Sequence, residues 1–122
     1  MIERAREKGD LEQVEALLDL LRIQCSLGDI TGEPDPHQLE ALADYTPNAS
    51  EAVPIYRRAI GLSERRSEPT YTKRIWMAAR LVELGALAEA RTQLIEGRAE
   101  AQRLKGGDAV AYADELLNKL AV

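Results

Sequence analysis

The chain has 122 residues, 45% hydrophobic and 30% charged, enough for one domain with a real core that needs neither disulfides nor metal. Aromatic content is 4% with no Phe, which favours closely packed helices over a β-sandwich, and the single Cys25 excludes an internal disulfide and a Cys-based zinc site. The net charge of −5 is uneven: residues 1–56 hold four basic and twelve acidic side chains, and residues 57–105 hold eleven basic and six acidic, a split that can steer a charged partner or a second copy of the chain.

The opening "MIERAREKGD" is charged and lacks an apolar centre, so it is not a secretory signal; it reads as a short helix over 2–8. A long helix over about 10–27 follows. Leu11, Val14, Leu17, Leu18, Leu21 and Cys25 form one apolar stripe on it, and Leu20, Ile23 and Leu27 a second. The helix before it is short and charged, so Leu11, Leu17, Leu20 and Ile23 are a candidate self-association or docking surface, unless the next loop folds over them. That loop, "LGDITGEPDP" (27–36), is rich in Gly, Pro and Asp. Helices are expected at 35–46, 49–66, 70–84, 86–105 and 108–120, with short links that force antiparallel neighbours and a Gly-Gly break before Asp108 as N-cap. Pro54 lies inside the 49–66 helix; with Asn48 or Ser50 as the cap its cost stays local if it faces solvent.

Three stretches align without gaps at an offset of 38: "GDLEQVEALLDLL" from Gly9, "PNASEAVPIYRRA" from Pro47 and "GALAEARTQLIEG" from Gly85. Turn formers match at Gly9, Pro47 and Gly85, small or β-branched residues at Val14, Ala52 and Ala90, and large ones at Leu18, Tyr56 and Leu94. An all-α, right-handed solenoid of antiparallel helix pairs follows, as one domain over 1–122, with pairs at about 2–27, 35–66 and 70–105 and a capping helix at 108–120.

"LVELGALAEARTQLIEG" and "SEAVPIYRRAIGLSER" carry a resemblance to the tetratricopeptide repeat family, the second most closely to the longer repeats of kinesin-light-chain type. Gly85 stands at that family's inter-helix turn, Ala90 early in the second helix and Leu94 four residues later. The chain departs from the family where a large aromatic of the first helix falls on Arg74 or Pro36, and where the small residue of the last repeat is Gly97. The resemblance implies a protein-binding scaffold or adaptor whose groove is lined by the helices at 35–46, 70–84 and 108–120. The candidate contacts are His37, Tyr45, Arg74, Trp76, Arg80 and Glu83. The grip on C-terminal carboxylates known in that family is not expected, because its Lys and Asn positions fall on Ile75 and Ala79.

Trp76 lies on a helix apolar around most of its circumference, which reads as buried from two sides, with Trp76 at the core edge or as a ligand platform. Arg57, Arg58, Arg65, Arg66, Lys73 and Arg74 are either a solvated face or an acidic-peptide or phosphate site. Nucleic acid is not expected of an acidic chain without interleaved aromatics. His37 has no second His or Cys at ligand spacing, so no metal or cofactor is expected. No nucleophile elbow or phosphate loop suggests an enzyme. No apolar run approaches the ~18 residues of a membrane span, and the cytoplasm is the expected location. The rival to a groove binder is a structural homo-oligomer, a homodimer in its simplest form, joined through the apolar N-terminal helix.

Overall fold

The computed structural model describes residues 11–31 and 34–121, with the side chains of 11–14, 25 and 27–31 left aside. Six helices account for nearly all of them: α1 (Leu11–Thr31), α2 (Pro36–Tyr45), α3 (Ala49–Arg65), α4 (Tyr71–Glu83), α5 (Leu87–Arg103) and α6 (Gly107–Leu120). The described residues contain no strand. Each helix packs on its chain neighbours, and α4 also packs on α6. The short helix expected at 2–8 lies outside the described residues, as do the side chains of Leu11, Val14, Cys25 and Leu27.

The ends of these helices follow local chemistry. Asn48, one of the two caps the sequence offered, caps α3, its side chain accepting from the Ser50 N–H at 2.9 Å and the Ser50 hydroxyl at 2.6 Å. Pro54 is therefore the sixth residue of α3, exposed, and only its missing N–H to the Ser50 carbonyl is lost. Asp35 caps α2 through the His37 N–H at 2.8 Å, with Pro36 in the first turn, where a missing N–H costs nothing. The α4–α5 turn closes with Ala86 N–H on Leu81 O (2.9 Å) and Gly85 N–H on Val82 O (3.0 Å), a Schellman cap with Gly85 at φ +78°.

Two boundaries differ from the sequence reading. The first long helix runs through Gly28 to Thr31, because one interior glycine costs about 1 kcal/mol and does not by itself stop a helix. Before α6 the left-handed residue is Lys105 (φ 64°), not either glycine; Ser67 (φ 55°) plays the same part after α3. Gly106 meets a different demand, since a Cβ there would lie 3.1–3.2 Å from the Tyr71 ring. Asp108 is not the cap of α6 but sits in its first turn, where its charge suits the helix dipole.

Buried small and large residues recur from helix to helix at two spacings. Ala52 and Ala90 (0% exposed), Tyr56 and Leu94 (2% and 0%), and Ser63 and Ala101 (0%) are pairs 38 residues apart on α3 and α5. On α2, α4 and α6, Ala43, Ala78 and Ala113 are all fully buried at intervals of 35. Two clusters form the core: a larger one spanning α2 to α6, and a smaller one joining Leu18 and Leu21 of α1 to Leu39, Leu42, Ala59 and Leu62. Gly97 lets α4 approach α5, because a Cβ there would lie 2.9 Å from Ile75 Cγ1 and 3.3 Å from the Tyr71 carbonyl.

The two helical glycines should respond oppositely to alanine. Gly61 has nothing within 4 Å of the added methyl, so Gly61→Ala should stabilise by roughly 0.5–1 kcal/mol. Gly97→Ala overpacks a fully buried Ile75 at a cost of about 1–3 kcal/mol, more than the helix propensity returns. Urea unfolding should move the midpoint up for the first and down for the second; midpoints moving together would refute the assigned packing.

Candidate partner-binding face

The polar side chains of α4 point to different neighbours, and that decides which of the expected contact residues are free. Trp76 is half-buried at the core edge, and its ring lies against Tyr112 of α6 with centroids 4.6 Å apart and planes tilted by 36°. Thr72, Ala79 and Val82 are likewise half-buried on α4, and Glu83 is exposed. Tyr45, at the end of α2, is half-buried against the smaller core cluster.

Arg80 and Glu83 are brought together at 3.3 Å, but Arg80 is committed elsewhere as well. Its guanidinium donates to the Thr46 carbonyl at 2.6 Å and the Pro47 carbonyl at 3.2 Å, satisfying acceptors at the C-terminal end of α2. His37 stands at the opposite end of α2, exposed, with Nε2 3.7 Å from Glu68 in the α3–α4 connection.

Arg74 is on another side of α4 altogether. It donates to Thr70 Oγ1 (2.9 Å), Gln93 Oε1 (2.8 Å) and Glu64 Oε1 (2.9 Å), and lies 3.4 Å from Glu96. Where the family resemblance would put a large aromatic, a guanidinium clamps α3, α4 and α5 together. Glu100 of α5 completes this corner, accepting from the Thr70 N–H at 2.8 Å and so capping α4 from a neighbouring helix. An open notch of about 670 Å³ lies here, lined by Glu64, Glu68, Glu96, Glu100, Arg74 and Arg103 among others; Arg74 pairs with Glu64 and Glu96, and Arg103 with Glu100.

The basic run read from the sequence is dispersed by the fold. Arg57 reaches Glu89 of α5 at 2.5 Å, which raises the guanidinium pKa and lowers that of the carboxyl through their hydrogen bond. Lys73, expected in a solvated or anion-binding patch, is 2% exposed and pairs at 3.2 Å with Glu40 of α2. Beside this pair the Tyr56 hydroxyl of α3 donates to Asp44 Oδ1. Burial raises the Asp44 carboxyl from 3.8 to about 6, against the pull of the Tyr56 hydrogen bond, and burial also raises the Tyr56 phenol.

Glu40, Asp44, Tyr56 and Lys73 thus form a polar joint with Arg80 that the sequence reading did not single out. The signal available was Glu40 and Asp44 one turn apart on α2, and Lys73 and Arg80 two turns apart on α4. Spacing of that kind says which residues share a face, but not which helix lies opposite.

On α1, Leu17 and the buried Leu18 and Leu21 face the smaller core cluster, whereas Leu20 and Ile23 are 51% and 57% exposed. No group of His, Cys, Asp and Glu suited to a metal ion is found among the described residues, and no helix among them is long and apolar enough to cross a membrane. Comparison with protein-family models, curated proteins and solved structures gives no match to this chain.

Removing one member of the buried ion pair should be costly. Lys73→Met leaves Glu40, only 16% exposed, without its partner, and should lose about 3–5 kcal/mol in urea unfolding at neutral pH. Combining it with Glu40→Gln should recover most of that loss. A Lys73→Met protein as stable as the parent would show that the pair is not formed in solution.

Proposed function

We propose that the protein is a tetratricopeptide-like interaction scaffold: a right-handed solenoid of helix pairs with a period of about 38 residues, acting as a cytoplasmic adaptor. It binds a peptide or protein segment along α2, α4 and α6 without catalysing a reaction. The observation that carries this reading is the half-buried strip Thr72, Trp76, Ala79 and Val82 on α4, continued by Tyr112 on α6. Half-buried aromatics with one face open give large contact area at small conformational cost. The repeating burial of Ala52 and Ala90, Tyr56 and Leu94, and Ala43, Ala78 and Ala113 supports the repeat assignment.

Arg74 and Arg80 are tied into the fold, so charge reversal there would test stability. The informative variant is Ala79→Arg with Glu83→Lys, on the half-buried and exposed part of the strip. Native protein and variant of equal helicity and melting temperature are compared by affinity capture with quantitative mass spectrometry. Segments that bind the strip should fall at least tenfold in the variant capture; undiminished capture of every partner would remove this reading.

A second reading, a structural homo-oligomer without a groove ligand, is favoured by the exposure of Leu20 and Ile23 on α1. Light scattering over a hundredfold concentration range should then show a dimer or larger, and Leu20→Glu with Ile23→Lys should return a monomer. A native protein monomeric throughout that range would end this alternative.

A further inference from the structure

The polar joint between α2 and α4 has two pins with a carboxyl between them. Midway along α2, Glu40 holds the Lys73 ammonium at 3.2 Å. At its end, Arg80 holds the carbonyls of Thr46 and Pro47. Asp44 lies between, one turn after Glu40, and its hydrogen-bond partner is the neutral Tyr56 hydroxyl from α3, while both cations direct their donors elsewhere. A half-buried carboxylate in this position is the weak member of the cluster, because a charge removed from water without its own counter-ion opposes closure.

We infer that this joint is a proton-responsive clasp: ionised Asp44 loosens the packing of α2 on α3 and α4, and protonated Asp44 tightens it. The groups that bear on Asp44 come from three helices: Glu40 on α2 itself, Tyr56 on α3, and Lys73 and Arg80 on α4. On α1, which also packs on α2, Asp19 and Arg22 pair with each other at 3.3 Å and Glu15 is exposed. Burial is the largest influence on the carboxyl and Glu40 adds to it, while the Tyr56 hydrogen bond, Arg80 and Lys73 oppose.

The folded value, about 6, lies above the ordinary 3.8, so the stabilisation is fully present below 3.8 and is lost as pH rises through 6. Acidification from about pH 7.5 to 5 should therefore raise the closed-to-open ratio of the joint roughly tenfold, the reverse of ordinary acid destabilisation.

Two measurements on the whole chain test this: NMR titration of the Asp44 carboxyl carbon, and hydrogen exchange of the α2 amides at pH 7.5 and 5, corrected for intrinsic exchange. In the native protein Asp44 should titrate near 6, with protection in α2 rising roughly tenfold on acidification. Asp44→Asn should remove that rise. Tyr56→Phe keeps the packed ring and removes a bond that favours the carboxylate, so Asp44 should then titrate higher than in the native protein. Should Asp44→Asn fail to fold, the native titration and Tyr56→Phe still decide. Titration of native Asp44 near 4, or an Asp44→Asn protein that keeps the tenfold rise, overturns the clasp.

Discussion

The close approach of helices through alanine is the constraint on which the rest of the molecule depends. Ala43, Ala52, Ala59, Ala78, Ala90, Ala101 and Ala113 are all 0% exposed, and Gly97 adds a contact where even a methyl collides with Ile75. With only a methyl or hydrogen at each crossing, helix axes can approach to about 8 Å, the short end of the usual range. Larger side chains then fill the flanks, among them Tyr56, Met77, Leu81 and Leu94, each nearly fully buried. Between α2 and α4 the long side chains of Lys73 and Arg80 make the connection. The polar joint adds to this seam a link that small residues cannot make, since Lys73 and Arg80 reach across to α2 with their full side-chain length.

The joint in turn gives the helix pairs a preferred attachment that apolar packing alone does not supply. Hydrophobic burial is non-directional, and a smooth alanine seam tolerates sliding. Two pins at separate points along α2, Glu40 to Lys73 and the Thr46 and Pro47 carbonyls to Arg80, fix both position and direction. Arg74 does the same on the other side of α4, where it reaches Glu64 on α3 and Gln93 on α5. Each of these bonds joins two different helices, so each constrains tertiary arrangement and none contributes to isolated helix stability.

That distinction explains what was legible in the sequence. Helix existence and order could be read because periodicity, the Asn48 cap and the Gly85 turn are all local, and Ala52, Tyr56, Ala90 and Leu94 repeat at a spacing that burial follows. The end of α1 was misplaced because Gly28 weakens a helix without ending it. Lys105 and Ser67 take the left-handed conformation that glycine usually supplies, at a cost of about 1–2 kcal/mol that the surrounding caps outweigh. Of the expected contact residues, Trp76 could be placed at the core edge because its own helix is apolar around most of its circumference. Arg74, Arg80 and Lys73 could not, since a long cationic side chain finds its partner on another helix and helical spacing is silent about that neighbour.

On α4, then, the proposed binding strip and the architecture are divided by direction around one helix. Ile75 and Ala78 are in the core, Lys73 and Arg80 hold α2, Arg74 holds α3 and α5, and Trp76 meets Tyr112 of α6. What remains toward solvent is the half-buried strip Thr72, Trp76, Ala79 and Val82, with the exposed Glu83 beside it. A partner segment lying along that strip would feel the spacing of α2 from α4, and the joint sets that spacing. The proton-responsive carboxyl is therefore placed where a small change in helix packing alters the width of the proposed binding face, although Asp44 need not touch the partner itself.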